Sequence, residues 1–205
     1  MIITWLGHAC FKIESAGYAI VLDPYADGYV PGLSPLRVTA NKVLCSHDHG
    51  DHGYVDAVTL ERSDAPCPFS IETISCAHDD VGGTKRGMNL IHILSAEGLR
   101  VAHLGDIGCP LDEEQLAKIG KLDACLIPVG GFYTIGPAEA VALMEQLNPR
   151  VVIPMHYRSE SFGFSNIGEL SDFTRLCGDV VEYEGNSLVL DEHTKKQTAV
   201  LKYLP

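Results

Sequence analysis

Residues 46–53 read Ser-His-Asp-His-Gly-Asp-His-Gly, and this segment decides how the rest of the chain is interpreted. Four potential metal ligands fall within six positions of it, namely His47, His49, Asp51 and His52. In an extended segment, residues i and i+2 point to the same side, so His47 and His49 are predicted to bind one ion together. Asp51 and His52 then face a second location. Imidazole and carboxylate ligands suit Zn²⁺ and similar first-row ions.

Short apolar runs elsewhere in the chain end at further residues of the same types. We predict buried strands at residues 19–22, 43–45, 70–75, 100–104, 124–128 and 151–154. Five of these runs are followed closely by Asp23, His47, His78, Asp106 and His156, respectively. Because functional side chains are often carried at the ends of strands, we expect these five to converge on one edge of the fold.

The same pass along the chain predicts helices at residues 112–119, 137–147 and 167–176. Strands interspersed with helices predict an α/β or α+β layered domain. A length of 205 residues with 46% hydrophobic side chains suits a single domain spanning residues 1–205.

Charge and cysteine content narrow the functional classes. The net charge of −12 repels nucleic-acid phosphates and anionic membranes, so neither is an expected partner. No apolar run reaches the roughly 18 residues that span a bilayer, and no signal peptide is recognised. Seven scattered cysteines without a CxxC pair favour a reduced, cytoplasmic protein over a disulfide framework.

The pattern His47-Asp48-His49-Gly50-Asp51-His52 resembles the HxHxDH signature of the metallo-β-lactamase-fold superfamily. The resemblance extends over nearly the whole chain, through Leu22-Asp23-Pro24, His78, Gly105-Asp106 and Pro154-Met155-His156-Tyr157. Within the superfamily, Trp5-Leu6-Gly7-His8-Ala9 and Gly136-Pro137-Ala138-Glu139-Ala140 are similar to the small Zn-dependent hydrolases related to ascorbate-6-phosphate lactonase.

This resemblance implies a four-layer αββα sandwich with a metal site at one edge, between two sheets. It implies two divalent ions, with Zn²⁺ as the first choice and Mn²⁺ or Fe²⁺ as alternatives. The first ion would be bound by His47, His49 and His78, and the second by Asp51, His52 and His156. Asp106 would bridge the two ions. Three protein ligands and a bridge leave an open position for water, which is the pattern of catalytic sites.

The expected activity is that of a metal-dependent hydrolase in which a dinuclear zinc-bound hydroxide attacks a small ester, lactone or phosphoester. Asp51 is the predicted general base, and His8 is a second candidate catalytic residue. Asp23 is predicted to accept a hydrogen bond from a ligand histidine. The metal ions would make the pocket locally positive, so we expect an anionic small-molecule substrate. The oligomeric state is not readable from the sequence.

Three alternatives remain open on the sequence alone. A nucleic-acid phosphodiesterase on the same fold would need a basic channel, which the charge of −12 disfavours. Di-iron redox proteins of this fold resemble the pattern HxExDH, which has a carboxylate where this sequence has His49. The imidazole of His49 therefore favours zinc over a di-iron site. A non-catalytic metal-binding module would have lost ligands, and none of the seven is missing.

Other polar residues are expected to have lesser roles. Tyr157 and Arg158 follow His156 and are candidate contacts for an anionic substrate, although a solvated Arg158 is favoured. We expect His92, His103 and His193 to lie outside the site.

Overall fold

The computed structural model describes residues 1–63 and 66–205, which form two β-sheets packed against each other. The strands are β1 (Ile2–Gly7), β2 (Cys10–Ser15), β3 (Tyr18–Leu22), β4 (Val38–Ala40), β5 (Lys42–Leu44), β6 (Val58–Leu60), β7 (Ser70–Ala77), β8 (Met88–Ala96), β9 (Leu99–His103), β10 (Ala124–Pro128), β11 (Val151–Met155), β12 (Val180–Glu182), β13 (Ser187–Val189) and β14 (Gln197–Val200). The six predicted strands are confirmed as β3, β5, β7, β9, β10 and β11.

The two main sheets differ in the number of their strands and in the relative direction of neighbouring strands. The first has five strands in the order β13-β1-β2-β3-β5, and the second has seven in the order β12-β14-β11-β10-β9-β8-β7. In the second sheet, strands β9, β10, β11, β14 and β12 run parallel to one another, while β8 is antiparallel to both β9 and β7. A short parallel pair, β4 and β6, lies apart from both sheets.

The core lies between the two sheets, as the alternation of side chains along β2 shows. Phe11 and Ile13 point into the large apolar cluster that contains Ile91 and Ile93 of β8, whereas Cys10 belongs to a second cluster on the opposite face. Successive side chains of a strand face opposite sides, so the first sheet is buried on both faces.

Residues 25–40, together with Ala57 and Val58, cover the outer face of the first sheet. Tyr25, Val30, Leu33 and Leu36 are buried in the second cluster, against Val21 of β3. The sequence pattern predicts a surface loop at residues 25–35, and the structure shows that this loop is also a packing layer. It contains no helix or strand, yet its apolar side chains close the sandwich on this side.

Among the described residues, a 3₁₀ turn spans Val55–Ala57 and three α-helices complete the fold: α1 (Glu113–Ile119), α2 (Pro137–Leu147) and α3 (Leu170–Thr174). They confirm the predicted helices, although the third is shorter than expected. Helix α2 starts with Pro137 in its first turn and ends at Asn148, which adopts a left-handed conformation. The mixed, layered α/β class is therefore confirmed. Within the described part of the chain, no helix is long and apolar enough to cross a bilayer.

Candidate metal centre

Five strand ends carry the predicted residues to one edge of the sandwich. Asp23, His78 and His156 directly follow β3, β7 and β11. His47 and Asp106 each lie three residues beyond the ends of β5 and β9. Strands of both sheets therefore contribute to the site, which explains how positions from 23 to 156 of the chain meet.

A first group of candidate ligands consists of the imidazoles of His47, His49 and His78. The ring centroid of His47 lies 4.5 Å from that of His49 and 4.6 Å from that of His78. One nitrogen of each ring lies within 4.8 Å of the other two, which is close enough for a shared ion. The structure thus brings together the three imidazoles that the resemblance assigns to one ion.

The second group contains Asp51, His52 and His156, as the resemblance implies, together with His8. One ligand atom of each of these four residues lies within 4.8 Å of the others. The His8 Nε2 atom is 3.2 Å from Asp51 Oδ2, and the rings of His8 and His156 are 4.1 Å apart. The sequence interpretation gave His8 a catalytic role, and the structure places it among the candidate ligands.

Asp106 lies between the two groups. One carboxylate oxygen is 3.5 Å from His78 Nε2 and 3.3 Å from His156 Nε2, while the other is 3.2 Å from His52 Nε2. A single carboxylate therefore faces members of both groups, which is the position a bridging ligand would occupy.

The buried polar atoms of the centre fit a cation. His47 Nε2, His52 Nε2, Asp106 Oδ1 and both ring nitrogens of His156 have no hydrogen-bond partner among the described residues. Orphaned donors and acceptors of this kind are unfavourable in a protein interior unless they coordinate a metal or bind water. Imidazole nitrogens and carboxylate oxygens are the ligands that first-row divalent ions prefer.

The charge balance of the centre points the same way. Burial opposes the charge on His52, but Asp106 and Asp23 raise the pKa of this ring well above its ordinary value. Burial also opposes ionisation of Asp106, while His156 and His52 hold the pKa of its carboxyl well below the usual range. The buried carboxylates are thus stabilised by positive charge beside them, which the histidines carry when protonated and which divalent cations would supply when bound.

Asp23 holds a ligand ring in place, and the predicted hydrogen bond is confirmed. Its fully buried carboxylate lies 2.7 Å from His52 Nδ1 and accepts hydrogen bonds from the Ser46 amide and hydroxyl, both at 2.6 Å. Burial alone would raise the pKa of Asp23, but His103 and His52 lower it to about 2. An ionised Asp23 leaves His52 Nε2 directed at Asp106 and Asp51.

Asn89 is a positioning residue that the sequence patterns did not reveal. It lies fully buried on β8, accepts a hydrogen bond from the Asp106 amide at 2.8 Å and donates one to the Leu104 carbonyl at 2.8 Å. These bonds fix the turn that carries Asp106. A buried amide inside an apolar strand was the available signal, because such a group requires partners of its own.

Three residues of the centre have left-handed backbone conformations. The φ angles of His8, Asp23 and His156 are 51°, 49° and 54°. Residues other than glycine adopt this region rarely, and the resulting strain is often found at functional sites. Each of the three directly follows a strand, so the left-handed turn directs its side chain into the centre.

Other predicted candidates lie elsewhere. Tyr157 is buried against Trp5, with ring centroids 5.5 Å apart, and Arg158 pairs with Glu169 at 2.9 Å. Neither of them lines the cleft beside the metal centre, so the suggested substrate contact is not supported. His92 and His103 lie next to main-chain carbonyls, and His193 is exposed, as expected for histidines outside the site.

A cleft of about 240 Å³ opens beside the two groups of ligands. Its floor includes His49, Asp51, His78 and Asp106. Its walls are Tyr29, Tyr133, Phe164 and Arg86, none of which was predicted. They come from loops far apart in the chain, so local spacing in the sequence does not reveal them.

The comparisons with known proteins place this geometry in a family. The family model of the beta-lactamase superfamily domain matches residues 2–156. The chain belongs to this superfamily. A UPF0173 metal-dependent hydrolase of Archaeoglobus fulgidus is 33% identical over 196 residues, covering 78% of this chain and 84% of the relative.

Solved structures agree with this assignment. A candidate Zn-dependent hydrolase of the metallo-beta-lactamase superfamily from Thermotoga maritima is 35% identical, with a TM-score of 0.77 and 99% coverage of both chains. An isothiocyanate hydrolase from Delia radicum gut bacteria covers 93% of this chain with a TM-score of 0.69 at 11% identity, which shows a shared fold alone. The predicted metallo-β-lactamase fold is confirmed, and the protein is a metal-dependent hydrolase of this superfamily.

Proposed function

We propose that the protein binds two divalent cations, preferentially Zn²⁺, and hydrolyses small esters, lactones or phosphoesters. One observation carries the proposal. Asp106 faces His78 of the first group of ligands and His52 and His156 of the second, all within 3.5 Å. This arrangement suits a carboxylate shared by two ions better than a single four-ligand structural site.

The preference for zinc rests on the first group of ligands. It consists of three imidazoles. Burial lowers the pKa of His47 to about 3 and also lowers the pKa of His78, so these two rings are neutral. Neutral nitrogen ligands suit Zn²⁺, whereas di-iron sites favour more carboxylates. Metal analysis distinguishes the two cases.

Divalent cations bound here would lower the pKa of a coordinated water to about 7 and polarise the carbonyl or phosphoryl oxygen of the substrate. Asp51 is the residue placed to hold the proton that hydrolysis releases, because its carboxylate is both part of the centre and part of the cleft lining. His8 orients this carboxylate through the 3.2 Å contact between Nε2 and Oδ2.

The size of the cleft supports a small substrate. Its volume of about 240 Å³ lies below the roughly 300 Å³ at which sites for drug-sized ligands begin. The net charge of −12 also disfavours a long polyanionic substrate such as nucleic acid.

The test combines metal analysis with a substrate panel. Wild-type protein loaded with zinc is assayed on a lactone, a thioester, a phosphodiester and a β-lactam, and its zinc content is measured by mass spectrometry. We expect about two zinc ions per chain and turnover of at least one substrate class, as in other two-metal sites. The Asp106→Ala variant should lose both zinc and turnover.

His193→Ala is the matched control, because its side chain is 85% exposed and lies outside the centre. It should keep wild-type zinc content and rates. A folded Asp106→Ala variant that retains full hydrolytic activity would contradict the proposed function.

A further inference from the structure

The cleft beside the metal centre has an aromatic wall whose parts support one another. Phe164 lies between Tyr29 and Tyr133, with ring centroids 6.1 Å and 6.0 Å away and the rings at 88° and 70°. These edge-to-face contacts are a favourable arrangement of aromatic rings. Phe164 also contacts His8, at 5.5 Å, so the wall begins at the metal centre itself.

Close packing and hydrogen bonding fix both ends of this wall. Tyr29 packs directly on Gly50 of the ligand segment, where any side-chain carbon would collide with the ring. The Tyr133 hydroxyl accepts a hydrogen bond of 2.7 Å from Asn166 Nδ2. The wall is therefore a preformed surface, suited to a planar or apolar part of a ligand.

Arg86 lies at the open side of the same cleft. Its guanidinium carbon is 5.5 Å from the centroid of the Tyr133 ring, within the distance of a cation–π contact. Five of the six other arginines are paired with carboxylates, namely Arg37, Arg100, Arg150, Arg158 and Arg175. Among the residues that the structure describes, no carboxylate lies within ion-pair distance of Arg86, although the protein is strongly acidic.

The loop that carries Arg86 is tied to a metal ligand. Asp79, which follows His78, is buried, and its carboxylate accepts four backbone hydrogen bonds. The donors are the amides of Val81, Gly83, Lys85 and Arg86, at 2.8 to 2.9 Å. The backbone of Arg86 is thus held at a fixed position relative to His78, which is what a residue that selects substrates requires.

We propose that Arg86 binds an oxyanion of the substrate, a carboxylate or a phosphate, while the planar or apolar part of the same molecule packs on Tyr29, Tyr133 and Phe164. The inference rests on the proposed function for its turnover assay but not for its binding assay. A planar guanidinium donates two parallel hydrogen bonds to such an oxyanion, and the ring of Tyr133 keeps it in orientation. The substrate is therefore a small amphipathic anion, with the scissile bond at the metal centre and the charge at Arg86.

The turnover assay compares two substrates that differ in charge at nearly equal size: mono-para-nitrophenyl succinate and its methyl ester. For Arg86→Met, we expect the KM of the anionic substrate to rise roughly tenfold to a hundredfold, from loss of hydrogen bonds to a charged group. The KM of the neutral ester should change less than about twofold, which is within the scatter of surface substitutions. For each substrate, the kcat of the variant should be similar to that of the wild type. Arg86→Lys should retain part of the selectivity, because it keeps the charge without the bidentate geometry.

Lys85→Met is the matched control on the same loop. Its side chain is 56% exposed, pairs with Asp80 and does not line the cleft, so both substrates should behave as with the wild type. Equal changes in KM for the charged and the neutral substrate in Arg86→Met would overturn the inference and leave Arg86 a merely structural contact of Tyr133.

The binding assay does not depend on turnover. Zinc-loaded wild type and Arg86→Met, matched in zinc content and melting temperature, are titrated calorimetrically with hydrocinnamate and with phenylphosphonate. We expect the Kd of hydrocinnamate, of phenylphosphonate or of both to rise roughly tenfold to a hundredfold in the variant. The probe that binds the wild type more tightly identifies the preferred oxyanion. Unchanged Kd values for both probes would refute the role of Arg86, whereas weakened binding without any turnover would refute only the proposed hydrolysis.

Discussion

Replacing Asp23 by asparagine removes the charge behind a ligand ring while keeping the shape of the side chain. Asparagine is also tolerated in the left-handed region that position 23 occupies, at a φ of 49°, so the backbone should not change. The amide can still accept the Ser46 N–H at Oδ1. It places an NH₂ group, however, where the carboxylate oxygen lies 2.7 Å from His52 Nδ1.

The same NH₂ group faces the Ser46 hydroxyl, which donates to this oxygen at 2.6 Å in the wild type and must turn to accept instead. The magnitude for metal binding follows from the exchanged contact with His52. The His52 ring must either rotate or change tautomer, and the substitution of such supporting residues weakens metal binding about tenfold to a hundredfold, or roughly 1.4 to 2.7 kcal/mol. We expect zinc affinity, measured by competition with a chromophoric chelator, to fall by this factor in Asp23→Asn.

The matched control is Asp123→Asn. Asp123 accepts a hydrogen bond from the Arg100 amide and pairs with Arg150, away from the ligand groups. This variant should lose stability in urea but keep wild-type zinc affinity. A folded Asp23→Asn protein that binds zinc within twofold of wild type would refute the argument that Asp23 orients His52.

Three further outcomes are expected. Chelation of the metal should lower the melting temperature by roughly 8 to 16 °C in calorimetry, because a ligand at a thousand times its Kd stabilises by about 4 kcal/mol; an unchanged transition would contradict metal binding to the folded state. Asparagine tolerates the left-handed φ of 51° at position 8. His8→Asn should lower kcat about tenfold to a hundredfold in steady-state assays, because Asp51 loses its 3.2 Å partner. An unchanged kcat would exclude a role of His8 in catalysis. Gly130→Ala should destabilise the protein by about 1 to 3 kcal/mol in urea titrations, since the added carbon meets the His156 carbonyl; Gly185→Ala, with open space around it, is the control, and equal stability of the two variants would contradict the packing argument.

The strands with unbroken apolar runs were the most directly predictable elements. Strands β10 and β11 are buried along their whole length and read as continuous hydrophobic segments. Strand β8 was not predicted, because Asn89, His92 and Ser95 interrupt its apolar pattern. Two of these interruptions have structural reasons: Asn89 holds the Asp106 turn and His92 contacts the Cys45 carbonyl of the neighbouring sheet.

The candidate metal ligands could be predicted from the sequence, whereas the residues that form the walls of the cleft could not. His47, His49, Asp51 and His52 lie close together in the chain, so local spacing alone brings their side chains near one another. The walls of the cleft depend on loops whose approach is set by tertiary packing, such as Tyr29 against Gly50. Residue type without local spacing gives no such signal.

The left-handed residues at His8, Asp23 and His156 have a consequence for protein engineering. Each conformation is unfavourable by on the order of 1 to 3 kcal/mol for a residue with a side chain, and glycine would relieve it. A campaign that selects variants for thermal resistance in chelator-treated lysates would therefore favour glycine at His8 and His156, whose buried rings carry unpaired nitrogens, whereas Asp23 is retained by its hydrogen bonds. Screens for thermal stability should keep the cations present throughout, so that the free energy of metal binding is included when variants at these three positions are compared.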